Sequence, residues 1–79
     1  KMIQFIPRDN VYVYFRMNNE KTVMVVLNIA DEPRSLNISR FEECLNGIRQ
    51  GKNVMTGETL LLEPLEVKAK EALVLELIR

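Results

Sequence analysis

Two apolar runs set the terms for this chain. Val11–Met17 (VYVYFRM) and Thr22–Asn28 (TVMVVLN) are rich in β-branched and aromatic residues, and only Asn18-Asn19-Glu20-Lys21 separates them. That pattern predicts a β-hairpin. The second run is apolar on both faces: Val23, Val25, Leu27 and Ile29 on one, Met24 and Val26 on the other. A strand with one face in water alternates with polar residues, so both faces of this hairpin are expected to be covered. One cover is an opposing sheet. The other is expected to be, in part, a neighbouring domain, with Met24 and Val26 as the candidate domain-contact residues.

Register decides which residues share a face. A four-residue loop at 18–21 sets Tyr12 and Tyr14 beside Val23, Val25 and Leu27. A three-residue loop slips the pairing by one and brings Val11, Val13 and Phe15 there instead. Both registers stay open at this level.

The rest of the chain continues in short strands. Met2–Ile6 precedes a turn at Pro7-Arg8-Asp9-Asn10, and Arg34–Ile38 follows a loop at 30–33. Ser39-Arg40-Phe41-Glu42 fits a capping box, predicting one helical turn over 40–45 that stops at Asn46-Gly47. Phe41 and Leu45, four apart, face the core together. Residues 48–53 read as irregular. Val54-Met55 and 58–63 read as a hairpin turning at Thr56-Gly57, with Pro64 as the stop. Leu65–Lys68 is short. Ala72–Ile78 closes the chain with Leu73, Leu75 and Leu77 on one face. Gly47, Gly51 and Gly57 are all expected in turns. Of the consecutive Leu60, Leu61 and Leu62, at least one should point outward. The expectation is an all-β fold, a sandwich or a small barrel, with seven or eight short strands and one helical turn.

Seventy-nine residues make one domain, spanning 1–79. The chain opens at Lys1 directly in strand-like sequence, without a signal-peptide pattern, and is read as an excised piece of a longer protein. Eleven basic and eleven acidic residues cancel. Residues 1–40 hold six basic and four acidic side chains, and residues 41–79 hold five and seven. So weak an asymmetry argues against nucleic-acid or membrane partners. No apolar run approaches the ~18 residues of a membrane span.

Catalytic chemistry is hard to find. The sequence has no histidine and one cysteine, Cys44, which rules out a disulfide within the chain. Phosphate-binding glycine motifs are absent. Glu42 and Glu43 sit about 100° apart on a helical turn, a poor geometry for a paired-carboxylate site; they read as a cap and a solvated acid. Asp31-Glu32 reads as a solvated loop, and Cys44 as a small buried hydrophobe. Tyr12 and Tyr14, with Phe15, are candidates for a sugar-stacking platform, but the chain has no tryptophan, and core or domain-boundary packing is the stronger reading. The reading therefore names no catalytic, cofactor-binding or metal-binding residue.

VYVYFR at 11–16, TVMVVLN at 22–28, LNISRF at 36–41, GKNVMTGE at 51–58 and ALVLEL at 72–77 occur in an order that resembles a known domain. It is the C-terminal β domain of bacterial cyclomaltodextrinase and neopullulanase-type enzymes, in the α-amylase family of glycoside hydrolases. The resemblance spans roughly Phe5 to Leu77. It implies a non-catalytic antiparallel β-sandwich of Greek-key type packed on an upstream (β/α)₈ barrel that bears the hydrolytic carboxylates, with α-glucan reached only through the parent enzyme. Maltodextrin, cyclodextrin and pullulan remain open as substrates. So do periplasmic, other extracytoplasmic and cytoplasmic settings. Two other readings stand beside it: a carbohydrate-binding module using Tyr12 and Tyr14, and an independent interaction domain using a sheet edge.

Overall fold

A computed structural model describes residues 1–78. Its strands are β1 (Met2–Gln4), β2 (Val11–Met17), β3 (Thr22–Asn28), β4 (Arg34–Leu36), β5 (Gln50–Asn53), β6 (Thr59–Leu61), β7 (Leu65–Val67) and β8 (Ala72–Ile78). One antiparallel sheet runs β1-β2-β3-β8-β5-β6, and β4 and β7 form a second, two-stranded sheet. After β3 the chain crosses to β4, re-enters the large sheet as the β5–β6 hairpin, crosses again to β7, and returns as β8 between β3 and β5. The two antiparallel sheets make an all-β sandwich.

The hairpin takes the four-residue loop. Asn18 closes it: its Oδ1 accepts from the backbone N–H groups of Glu20 and Lys21, both at 2.8 Å. Its own N–H donates to Lys21 O at 3.0 Å. Tyr12 then lies opposite Leu27, Tyr14 opposite Val25 and Arg16 opposite Val23. The tighter turn before β2 joins Arg8 to Val11 around Asp9 and Asn10, both at positive φ (50° and 65°). Asp and Asn tolerate that region better than most residues.

The helical turn forms, but not through the expected capping box. Asn37 is the cap, with its Oδ1 accepting from Ser39 N at 3.1 Å and from the Ser39 hydroxyl at 2.7 Å. A 3₁₀ turn (Ile38–Phe41) runs into α1 (Glu42–Leu45), which ends at left-handed Asn46 and Gly47. Glu42 works at the opposite end from the one its sequence position implied. Its carboxylate accepts from Gly47 N at 2.5 Å and from Arg49 at 2.9 Å.

Residues 50–53, read as irregular, form β5 instead, between β8 and β6. Gly51 therefore lies in a strand rather than a turn. A Cβ there would sit 3.2 Å from Leu75 Cβ, so glycine is what lets the sheet close over Leu75. The second hairpin is β5–β6, turning through Val54–Gly57 rather than pairing Val54-Met55. Leu62 is fully buried, while Leu61 points outward at 61% exposure.

The core lies between the large sheet and a cover made of the β4–β7 ribbon, the helical turn and Leu62. Val11, Val13, Phe15, Met24, Val26, Leu73, Leu75 and Leu77 meet Ile38, Phe41, Leu45, Leu62, Leu65 and Val67. Phe5, Phe15 and Phe41 interlock there, with ring centroids 4.8–6.0 Å apart. Met24 and Val26 are both 0% exposed in this chain alone. That overturns their assignment as domain-contact residues, because their side chains are consumed by the chain's own core.

Candidate domain-contact surface

Period 2 sends the alternate residues of the large sheet to its other face. Each long strand reads buried, exposed, buried in turn. The outward set is Tyr12 and Tyr14 from β2, Val23, Val25 and Leu27 from β3, and Ala72 and Val74 from β8. Strand pairing makes these a contiguous field. Tyr12, Leu27 and Ala72 form one cross-strand row, and Tyr14, Val25 and Val74 form the next. Tyr12 is 44% exposed and Leu27 39%, with Tyr14, Val25 and Val74 half-buried. None of these residues belongs to the buried core.

The third row is different. Arg16, Val23, Glu76 and Lys52 follow one another across β2, β3, β8 and β5. Lys21 Nζ comes within 3.8 Å of Glu76. The outward face is thus apolar and aromatic at the Tyr12 end, with a charged rim at the hairpin end. Arg16 and Glu76 were the sequence signal for this phase. Each shares a face with Val23, and an exposed charge marks the side away from the core.

Below the sheet, one polar side chain was not singled out from sequence. Asn28 is fully buried at the end of β3. Its Nδ2 donates to the carbonyls of Glu32, Val67 and Lys68 at 3.1, 3.2 and 3.1 Å, and its Oδ1 accepts from Ala30 N at 2.9 Å. This amide ties the large sheet to the β7 end of the small one. Buried polar atoms need such partners, and no buried side-chain polar atom among the described residues lacks one.

The titratable groups are engaged structurally. The Gly47 N–H, and then Arg49, hold the Glu42 carboxyl below its usual range. Burial, and then the nearby Glu43 charge, push the Cys44 thiol upward, so it stays protonated and unreactive. Among the described residues no three His, Cys, Asp or Glu side chains group as a metal site.

The fold is a small antiparallel sandwich with one filled interior and an apolar, partly exposed outer sheet face. The chain belongs to the cyclo-maltodextrinase C-terminal domain family, whose sequence model matches residues 2–76. Membership makes it an accessory domain of an α-amylase-family enzyme, and in cyclo-maltodextrinase the C-terminal domain is non-catalytic. A search of curated proteins finds no match.

Proposed function

We propose that the chain is the C-terminal domain of a larger α-glucan-hydrolysing enzyme, and that it docks on the catalytic (β/α)₈ barrel through the open face of its large sheet. The contact residues in this reading are Tyr12, Tyr14, Val25, Leu27 and Val74. Its role is to cover apolar barrel surface and steady the enzyme, while maltodextrin, cyclodextrin or pullulan is cleaved on the barrel. The observation that carries it is the apolar content of an uncovered sheet face, since contiguous exposed apolar surface marks an interaction site. The test is Leu27→Lys with Val25→Lys in the parent enzyme and in the 79-residue chain. The double variant should lower the parent's thermal midpoint by several degrees and leave the chain's nearly unchanged. An unchanged parent refutes the docking face.

A second reading rests on Tyr12 and Tyr14, two residues apart on the same open face. Alternate residues of a strand lie about 6.5–7 Å apart, and flat aromatics stack on sugar rings. Titrating the chain with maltoheptaose and β-cyclodextrin discriminates. Saturable millimolar binding that is lost in Tyr12→Ala makes the domain a carbohydrate-binding module. The absence of binding leaves docking. The sheet-edge reading has less support, because both edge strands, β1 and β6, are three residues long.

A further inference from the structure

A cleft of about 200 Å³ opens beside the start of β2, away from the open sheet face. Its lining includes three arginines, Arg8, Arg34 and Arg40, together with Ser35 and Asn37; Asp9 is its only carboxylate. Three arginines against one carboxylate give the lining a net charge of about +2, or about +1 once Glu32, paired with Arg34, is counted, in a chain whose formal charge is zero.

Two of these guanidinium groups are held in place before any ligand arrives. Arg34 Nε donates to Asp9 O at 3.0 Å, and one of its terminal nitrogens pairs with Glu32 at 2.7 Å. Arg40 donates to Ile6 O and lies over the rings of Phe5 and Phe41, at 5.8 and 5.4 Å. Arg8 has no ion pair among the described residues. Asn37 spends its Oδ1 on Ser39, and its Nδ2 donors have no partner among the described residues. The lining is rich in donors, and most of the fixed charge is positive. Arginine forks match the planar or tetrahedral oxygens of carboxylate and phosphate.

We propose that this cleft binds a small oxyanion, with Arg8, Arg34 and Arg40 supplying the charge and Asn37 a neutral donor. The oxyanion is either a free phosphate or the carboxylate of an acidic side chain from a partner protein. Because Arg34 and Arg40 are pre-positioned, little side-chain entropy is lost on binding.

The test is titration of the 79-residue chain, followed by backbone and arginine Nε–H NMR shifts at constant ionic strength. The probes are inorganic phosphate and N-acetyl-glutamate amide, with chloride as the control. Saturable shifts at Arg34, Arg40 and Asn37 are expected, weakening as salt rises. Arg8→Gln touches no structural contact of the fold and should weaken binding about tenfold. Asn37→Ser, which retains an oxygen to cap the turn, should weaken it less. Tighter phosphate identifies a free anion as the ligand, and equal or tighter carboxylate identifies a protein side chain. Shifts no larger than those with chloride, or identical binding by Arg8→Gln, overturn the proposal.

Discussion

The sharpest perturbation contrasts neighbours on one strand. Met24 and Leu27 are both large apolar residues of β3, yet Met24 is fully buried and Leu27 is 39% exposed. Truncating a buried methionine to alanine costs about 2–5 kcal/mol, because transfer energy is lost and a cavity remains. A 79-residue domain has about 4–12 kcal/mol to lose. Each kcal/mol shifts the midpoint of a domain this size by about 4–8 °C. Met24→Ala should therefore lower Tm by about 10 °C or more and approach unfolding at the upper end. Leu27→Ala removes an already half-wet side chain and should stay within about 1 kcal/mol. The assay is thermal and urea unfolding of the 79-residue chain, read by far-ultraviolet circular dichroism, with Leu75→Ala as a core reference. Met24→Ala and Leu75→Ala should fall together, well below Leu27→Ala. Equal losses at Met24 and Leu27 would refute the assignment of the two sheet faces, and with it the docking surface.

Asn28→Ala removes the donor to three carbonyls and the acceptor for one N–H in a buried network, and should cost about 2–4 kcal/mol in urea unfolding. Asn28→Asp should do worse, since a carboxylate faces the same carbonyls with no donor. Gly51→Ala pushes a Cβ to 3.2 Å from Leu75 Cβ and should cost about 1–3 kcal/mol in urea unfolding. The depressed Glu42 pKa adds stability that is present above its unfolded value and lost as pH falls through its folded value. Glu42→Gln should accordingly lower stability near neutrality, change little below the folded pKa, and so flatten the acid limb of the stability profile. Cys44 should resist a thiol reagent in the native chain at pH 8 and react promptly in denaturant.

Much of this architecture was legible because it depends on local chemistry. β2 and β8 carry the boundaries read from their residues, Val11–Met17 and Ala72–Ile78, since β-branched, aromatic and leucine-rich runs flanked by turns leave few alternatives. Leu73, Leu75 and Leu77 are inward, and Phe41 and Leu45 are core, because period and spacing determine which side chains travel together. The cap at Asn37 was missed for a local reason too. Two oxygen-bearing residues, Asn37 and Ser39, competed for one helix start, and the 3₁₀ turn began two residues before the expected helical start at Arg40.

Other features needed the whole fold. Gln50-Gly51-Lys52-Asn53 has no intrinsic claim to be a strand; it pairs because β8 and β6 offer ladder partners on either side. The open face was misread for the same kind of reason. Residues alternating along β3 are apolar on both sides, so the strand alone says that both sides avoid water, not which side is inside. Phe15 joining Phe5 and Phe41, and Asn18 closing a four-residue loop, turn Met24 and Val26 inward. Val25 and Leu27 then face out beside Tyr12 and Tyr14. Local propensity, spacing and the ordered family blocks determined the strands, the class and the family. Pairing partners, the inward phase of the hairpin and the arginine cleft were decided by tertiary structure, because each joins residues that are distant along the chain.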